Sequence, residues 1–306
     1  MPEDFEIDIF LVNVKLLIYN SWIQLLKKFR LNLGLFSRFP FLKRTYDTLL
    51  NTLKPKDLVK LKVQGSYMFV DIKDAGVTHI LIDKKEIEPS VTRIFRAVVK
   101  EGMTVADIGA NIGYYTLLSA RLVGTAGKVY AFEPSPENYS LLTKSIRENK
   151  YDYATAVQKG VSNKVEKTWL FMDRDNFGNN TMVAGTEHAS DGSIEIETTT
   201  MDAYFSNGKK IDLIKIDVEG AEGLVIDGAK KILENPDVKI IMEFWPYGQE
   251  KLGNNPKELL TTLRNWGFKI KLISDSDPAL FDISDTEILE LFNTTGIAPN
   301  LFLEKQ

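Results

Sequence analysis

The chain has 306 residues, 44% hydrophobic and 26% charged, which is enough for one large domain with a sizeable core or a domain with an appendage. A net charge of -4 gives no global attraction to nucleic acid. The absence of cysteine excludes disulfides, thiolate metal sites and a cysteine nucleophile.

The first fifty residues differ from the rest. Their apolar stretch, residues 9–19, is broken by Asn13 and Lys15 and falls short of the roughly 20 residues a spanning helix needs. Glu3, Asp4, Glu6 and Asp8 carry the wrong sign for a secretory signal, and the lack of cysteine suits a reducing, cytoplasmic setting. A helix over residues 7–31 would confine Asn13, Asn20, Gln24 and Lys27 to a narrow polar stripe, leaving a broad apolar face to be covered. Lys28, Arg30, Arg38, Lys43 and Arg44 follow, interleaved with Phe29, Phe36, Phe39 and Phe41. Such a 1–54 extension suits peripheral contact with an anionic membrane surface, or packing on its own domain or on a second subunit of a homo-oligomer.

Residues 58–83 read as a small β meander with strands at 59–63, 67–70 and 78–82, in which His79 is an ordinary strand residue. Glu88, Pro89 and Ser90 then open a helix to about Lys100 with Val91, Ile94, Phe95 and Val98 on one face. Meander and lead-in helix make up residues 55–100.

From Met103 the pattern becomes βα and defines a domain over 101–306. Strands are expected to end in Asp107 and at 128–132, 153–159, 211–217 and 238–243, with helices at 136–149, 221–233 and 256–266. A strand at 268–273, a short helix near 286–292 and a strand near 300–304 complete the chain. The last strand follows a short connection and is expected antiparallel, whereas the alternation before it implies a parallel sheet covered on both faces. The segment 165–200 breaks the rhythm: strands at 169–172 and 194–198 flank a long polar loop containing His188, forming a substrate-side flap.

Ligands of such sheets bind beyond the C-terminal strand ends, where Asp107, Glu133, Asp217 with Glu219, and Glu243 fall. Glu133, ending the second strand, stands where an acid can accept both ribose hydroxyls. The turn from Gly109 to Gly113 uses small residues that admit a ligand to the backbone, with a spacing unlike the G-x-G-x-x-G of dinucleotide sites.

Three segments, Asp107 to Thr116, Ala131 to Asn138 and Ile211 to Glu222, together resemble the FkbM family of S-adenosylmethionine-dependent methyltransferases. The resemblance covers roughly residues 88–245 and implies an α/β, Rossmann-like, seven-stranded methyltransferase sheet of order 3-2-1-4-5-7-6 with strand 7 antiparallel. It implies that Asp107 steadies a turn in which Gly109, Ala110, Asn111 and Gly113 cradle the methionine part of S-adenosylmethionine. Glu133 would hold the ribose, Pro134 and Asn138 would line that wall, and Val161 and Ser162 would face the adenine. Tyr114 and Tyr115 would offer aromatic faces to the sulfonium, though either could face the core instead. Asp217 and Glu219 are the first candidates for the base that deprotonates an acceptor hydroxyl, and His188 is the third. Asp217 could instead bind the cofactor's amino group, and Glu219 could cap the following helix. Asp217, Glu219 and Glu243 could also gather around Mg²⁺, but nothing in their spacing demands a metal and none is expected.

The function so implied is O-methylation of a hydroxyl on a sugar or glycan, lipid-linked if the N-terminus touches a membrane, or on another small-molecule acceptor. Two other readings stay open: a nicotinamide-dependent oxidoreductase, against which the glycine spacing argues, and a non-catalytic, membrane-associated binding module on the same fold.

Overall fold

The structure, a computed structural model, describes residues 58–74, 76–173, 176–186, 192–206, 208–274 and 279–305. The N-terminal extension and His188 lie outside the described residues.

Strands β1 (Leu58–Val63) and β2 (Ser66–Asp71) pair antiparallel through a tight turn in which Gln64 and Gly65 both take positive φ. Their alternation buries Val59, Leu61, Val63, Met68 and Val70. The expected third strand is instead helix α1 (Val77–Lys84). Its β-branched residues favour a strand in isolation, but buried Asp74 accepts hydrogen bonds from the N–H groups of Gly76 (3.1 Å) and Thr78 (2.7 Å). Those are donors that a helix start leaves open, so the local capping decides the outcome. His79 therefore stands on a helix. Helix α2 (Pro89–Val98) follows, with Pro89 in its first turn. The hairpin and α2 form no separate core: Leu61, Met68 and Phe95 share one apolar cluster with Leu117, Leu118 and Leu142.

The remaining elements are β3 (Thr104–Ile108), α3 (Tyr114–Val123), β4 (Lys128–Phe132), α4 (Pro136–Glu148), β5 (Ala154–Val157), β6 (Gly160–Val161), β7 (Lys167–Phe171), β8 (Ser193–Thr199) and α5 (Met201–Tyr204). They continue with β9 (Leu213–Ile216), α6 (Glu222–Asp227), β10 (Lys239–Glu243), α7 (Pro246–Lys251), α8 (Pro256–Asn265), β11 (Phe268–Ile273), β12 (Leu280–Asp282), α9 (Asp285–Thr295) and β13 (Asn300–Lys305). The large sheet has the order β12-β11-β13-β10-β9-β3-β4-β5. Strands β5, β4, β3, β9 and β10 are parallel, and β13 lies antiparallel between β10 and β11. Without the short edge strand β12, which the sequence pattern does not reveal, and numbered within this sheet, the order reads 3-2-1-4-5-7-6. Val105, Val129 and Leu213 face one apolar cluster, while Ile108, Ile214, Ile216 and Met242 face the other, so helices cover both sides.

Two expected elements are shorter than the pattern suggested. The third parallel strand stops at Val157, and the chain pairs anew as β6 with β8, which joins antiparallel β7 in a three-stranded flap sheet. The helix expected over 221–233 stops at Asp227, and Gly228 follows where a Cβ would overlap the Ser162 carbonyl oxygen. Helix α7 was not foreseen, although Pro246 in its first turn is an ordinary helix-start signal. Among the described residues no helix is long and apolar enough to cross a membrane.

Candidate functional site

Beyond the C-terminal ends of β3, β4, β9 and β10 lies a cleft of about 230 Å³, roofed by the flap. Its floor begins at Gly109, where φ is +77° and a Cβ would overlap the Asp217 carbonyl oxygen. Glycine is needed there for backbone to pack on backbone where β3 and β9 end, as well as for the open surface it leaves in the cleft. The Gly109 and Ala110 N–H groups donate to the Phe132 carbonyl at 3.0 and 2.9 Å, tying the turn to β4. Asn111, at φ +50°, then aims its N–H at Glu133 Oε2, 2.8 Å away.

Glu133 receives a second backbone donor, Ser135 N–H, on Oε1 at 2.8 Å. Burial pushes its carboxyl up to about 7, against the pull of those two donors. The Asn138 amide also faces it, and of the carboxylate's roughly four acceptor positions at least one stays open to a ligand. Asn111, Glu133, Pro134, Asn138 and Val161 all line the cleft.

Six of the expected site residues do not line the cleft. Asp107 is buried beneath the turn, accepts from Thr116 Oγ1 at 2.5 Å and is pushed up to about 6 by burial, so it fastens β3 to α3. Gly113 faces Leu142, which a Cβ would meet at 2.6 Å; it permits α3 to approach α4 and forms no part of the cleft wall. Ala110 and Ser162 are buried outside that wall. Tyr114 and Tyr115 point toward the lead-in segment instead of the cleft. The Tyr114 hydroxyl lies 3.1 Å from Thr92 Oγ1, and Tyr115 donates to Glu88 Oε2 at 3.0 Å. Core packing of the first turn of α3 decides both orientations.

The other end of the cleft is acidic. Asp217, Glu219 and Glu243 can each bring one oxygen within 4.8 Å of the others, a spacing that could hold a divalent cation. Lys215, fully buried, already supplies one positive charge, with Nζ 3.0 Å from Asp217 Oδ2 and 5.1 Å over the Tyr115 ring. Burial alone would lower the lysine, but Asp217, Glu88 and Glu243 outweigh it and hold the ammonium well above its usual range. Burial opposes the charge on Asp217, yet Lys215 and a hydrogen bond with Glu243 keep that carboxyl below its ordinary value. Glu219 is pushed up to about 8 by burial and by the charges of Asp217 and Glu222. Glu243 is raised well above its ordinary value, first by burial and then by Asp217 and Glu219. Glu219 also takes φ +48°, an uncommon conformation for this residue type, next to Gly220 at φ +101°. Glu222 lies just outside, buried, accepting from Gly220 N–H at 2.8 Å.

The flap is pinned at three points. Phe177 N–H donates to Asp74 Oδ1 (3.1 Å), Asn138 Nδ2 donates to the Phe177 carbonyl (3.2 Å), and Thr181 Oγ1 donates to the Glu219 carbonyl (2.6 Å). Sequence reasoning missed Lys215, Glu88, Asp74 and the flap asparagines. A lysine inside an otherwise apolar parallel strand was an available signal, since such a strand is buried on both faces and the charge must find a partner. Glu88, which lines the cleft and accepts from Asn300 Nδ2 at 3.0 Å, carried no signal beyond preceding a proline.

The family model for the methyltransferase FkbM domain matches residues 107–270. Methyltransferase sdnD of Sordaria araneosa is 28% identical over 196 residues, covering 54% of this chain and 73% of that protein. Hexuronic acid methyltransferase AglP of Haloferax volcanii is 28% identical over 156 residues, covering 50% of this chain and 61% of that protein. The solved methyltransferase FkbM of Methylobacillus flagellatus is 14% identical, with 69% of this chain and 50% of that one covered at a TM-score of 0.41.

Proposed function

The chain belongs to the methyltransferase FkbM domain family, and from that premise we propose that it transfers a methyl group from S-adenosylmethionine to a hydroxyl of a sugar or glycan. Family membership makes it an S-adenosylmethionine-dependent methyltransferase and leaves the nicotinamide and non-catalytic readings without support. The sugar acceptor is a reading supported by the likeness to a hexuronic acid methyltransferase. Residues 101–306 form the methyltransferase domain in this reading, with 165–200 as its substrate-side insertion.

The residues present fit the methyl donor. An acid with free lone pairs, Glu133, sits on one wall; a side-chain-free surface, Gly109, lies on the floor; and the far end holds the ionised Asp217 beside the polar carboxyls of Glu219 and Glu243. Bound there, S-adenosylmethionine supplies an electrophilic methyl group. Glu133 would hold the ribose, and Gly109 and Asn111 the amino acid part. The protein's remaining work is to align the acceptor and remove its proton.

The observation that carries this reading is the acid group at the ends of β9 and β10, in the same cleft as Glu133. Glu219 takes the acceptor's proton, because a base with a pKa near the working pH is best matched to that task. Asp217, kept charged by Lys215, orients the hydroxyl toward it. The test is to incubate the chain and an E219Q variant with methyl-labelled S-adenosylmethionine and candidate glycans, then map the label. Label on a sugar oxygen, absent with E219Q, is expected; label on nitrogen or carbon would overturn the acceptor assignment.

A lipid-linked glycan becomes the natural acceptor if residues 1–50 bind a membrane surface. Co-sedimentation with anionic liposomes that persists undiminished after their deletion removes that extension.

A further inference from the structure

Asn138 occupies the first turn of α4, where Ser135 caps the helix by accepting from the Asn138 N–H at 3.5 Å. Its backbone donor is thereby provided for, and the side chain is free for another task. That side chain is almost wholly buried in the cleft wall, next to Glu133.

Its Nδ2 donates to the Phe177 carbonyl at 3.2 Å and also faces the Glu133 carboxylate. Both neighbours are acceptors. Rotating the amide would set oxygen against oxygen, so the orientation is determined by the surroundings. Oδ1 is consequently left without a partner among the described residues, although it is buried. A buried amide oxygen in that state is uncommon and costly, and it points to a donor that arrives with a ligand.

Phe177 is held from the other side as well, through its N–H to buried Asp74 at 3.1 Å. A few residues on, Thr181 reaches the Glu219 carbonyl at 2.6 Å. The segment 177–181 therefore spans the cleft, from the Glu133 wall to the acid end.

We propose that Asn138 couples the flap to the nucleoside half of the methyl donor, its Oδ1 accepting from an N–H or O–H of the adenosine while its Nδ2 grips Phe177. This rests on the reading of the cleft as a methyl-donor site. A donor that fixes Asn138 also fixes Phe177, and with it the strand of flap that leads to Glu219. Asn138 is thus a binding residue on one side and a positioning residue for the flap on the other. The nucleoside, not the amino acid part, is the recognised portion, because Asn138 interacts with Glu133, the acid read as the ribose holder.

Amide hydrogen exchange of the full chain tests this, with S-adenosylhomocysteine, adenosine and homocysteine as probes. In the wild type, saturating S-adenosylhomocysteine and adenosine should each slow exchange across 177–181 by about fivefold or more, whereas homocysteine should not. N138D keeps an acceptor but cannot donate to Phe177: it should still bind S-adenosylhomocysteine while losing the protection of 177–181. N138A should lose about tenfold or more in affinity for S-adenosylhomocysteine. Ligand binding that leaves 177–181 unprotected in the wild type overturns the proposal whatever the variants do. So does protection by homocysteine alone, or an N138A variant with wild-type affinity. No binding of S-adenosylhomocysteine to the wild type is a separate result, which sinks the underlying cofactor reading and this proposal with it.

Discussion

Lys215 and Asp217, alternate residues where β9 runs out into the cleft, form an ion pair of 3.0 Å in which the lysine has no exposed surface. The pair sets the charge state of everything around it. Asp217 stays ionised, and its fixed negative charge helps to keep protons on Glu219 and Glu243.

Breaking the pair from one side should therefore be severe. K215M leaves Asp217 facing two other carboxyls with no cation and is expected to destabilise the chain by about 3–5 kcal/mol, read from urea unfolding. The double variant K215M/D217N removes both charges and should regain a large part of that loss. A double variant as unstable as K215M alone would show that the lysine matters through packing and not through its charge.

Glu219 should impose a pH limb on turnover. Its carboxyl is pushed up to about 8, so the fraction able to accept a proton grows as pH rises toward that value. Accordingly kcat/KM is expected to climb between pH 6 and about 8 and then level. E219Q should lose that limb and about 10²–10⁴-fold in kcat, with affinity for S-adenosylhomocysteine little changed. A retained limb would move the base elsewhere.

Glu222 makes a stability prediction separable from catalysis. Burial pushes it from an ordinary 4.5 up to about 8. Between those values the folded chain keeps a proton that the unfolded chain has released. The sign follows: this contribution is fully present below about 4.5 and is lost as pH rises through about 8. Glu133 and Asp107, raised to about 7 and about 6, act in the same direction. The ligand-free protein should thus melt at a lower temperature at pH 8 than at pH 5. E222Q, whose amide oxygen can still accept from Gly220, should make that decline shallower. An unchanged slope would mean that Glu222 titrates near its ordinary value in the fold.

Much of the architecture was legible in the pattern of residues, because four of the five parallel strands are short apolar runs closed by a carboxylate and a turn. Asp107, Glu133, Asp217 and Glu243 mark four such ends, and all four belong to the parallel part of the sheet or its exits. What failed was local. Residues 77–84 carry strand-favouring side chains, and the hydrogen bonds from Gly76 and Thr78 to Asp74, just before them, are what start a helix instead. Gly113 and Gly109 look alike in sequence, yet one clears room for Leu142 and the other for the Asp217 backbone. Tyr115 reads as an aromatic face at a cofactor turn, but Glu88, 27 residues earlier, draws its hydroxyl away. Contacts of that kind depend on which elements become neighbours, and no spacing rule encodes them.

Isothermal titration of the full chain with S-adenosylhomocysteine, and with NAD as a control, tests the central reading most directly. One-to-one binding of S-adenosylhomocysteine, weakened by about tenfold or more in E133Q, with no heat from NAD, is the expected result. Heat from NAD and none from S-adenosylhomocysteine would contradict the assignment of this cleft to a methyl donor.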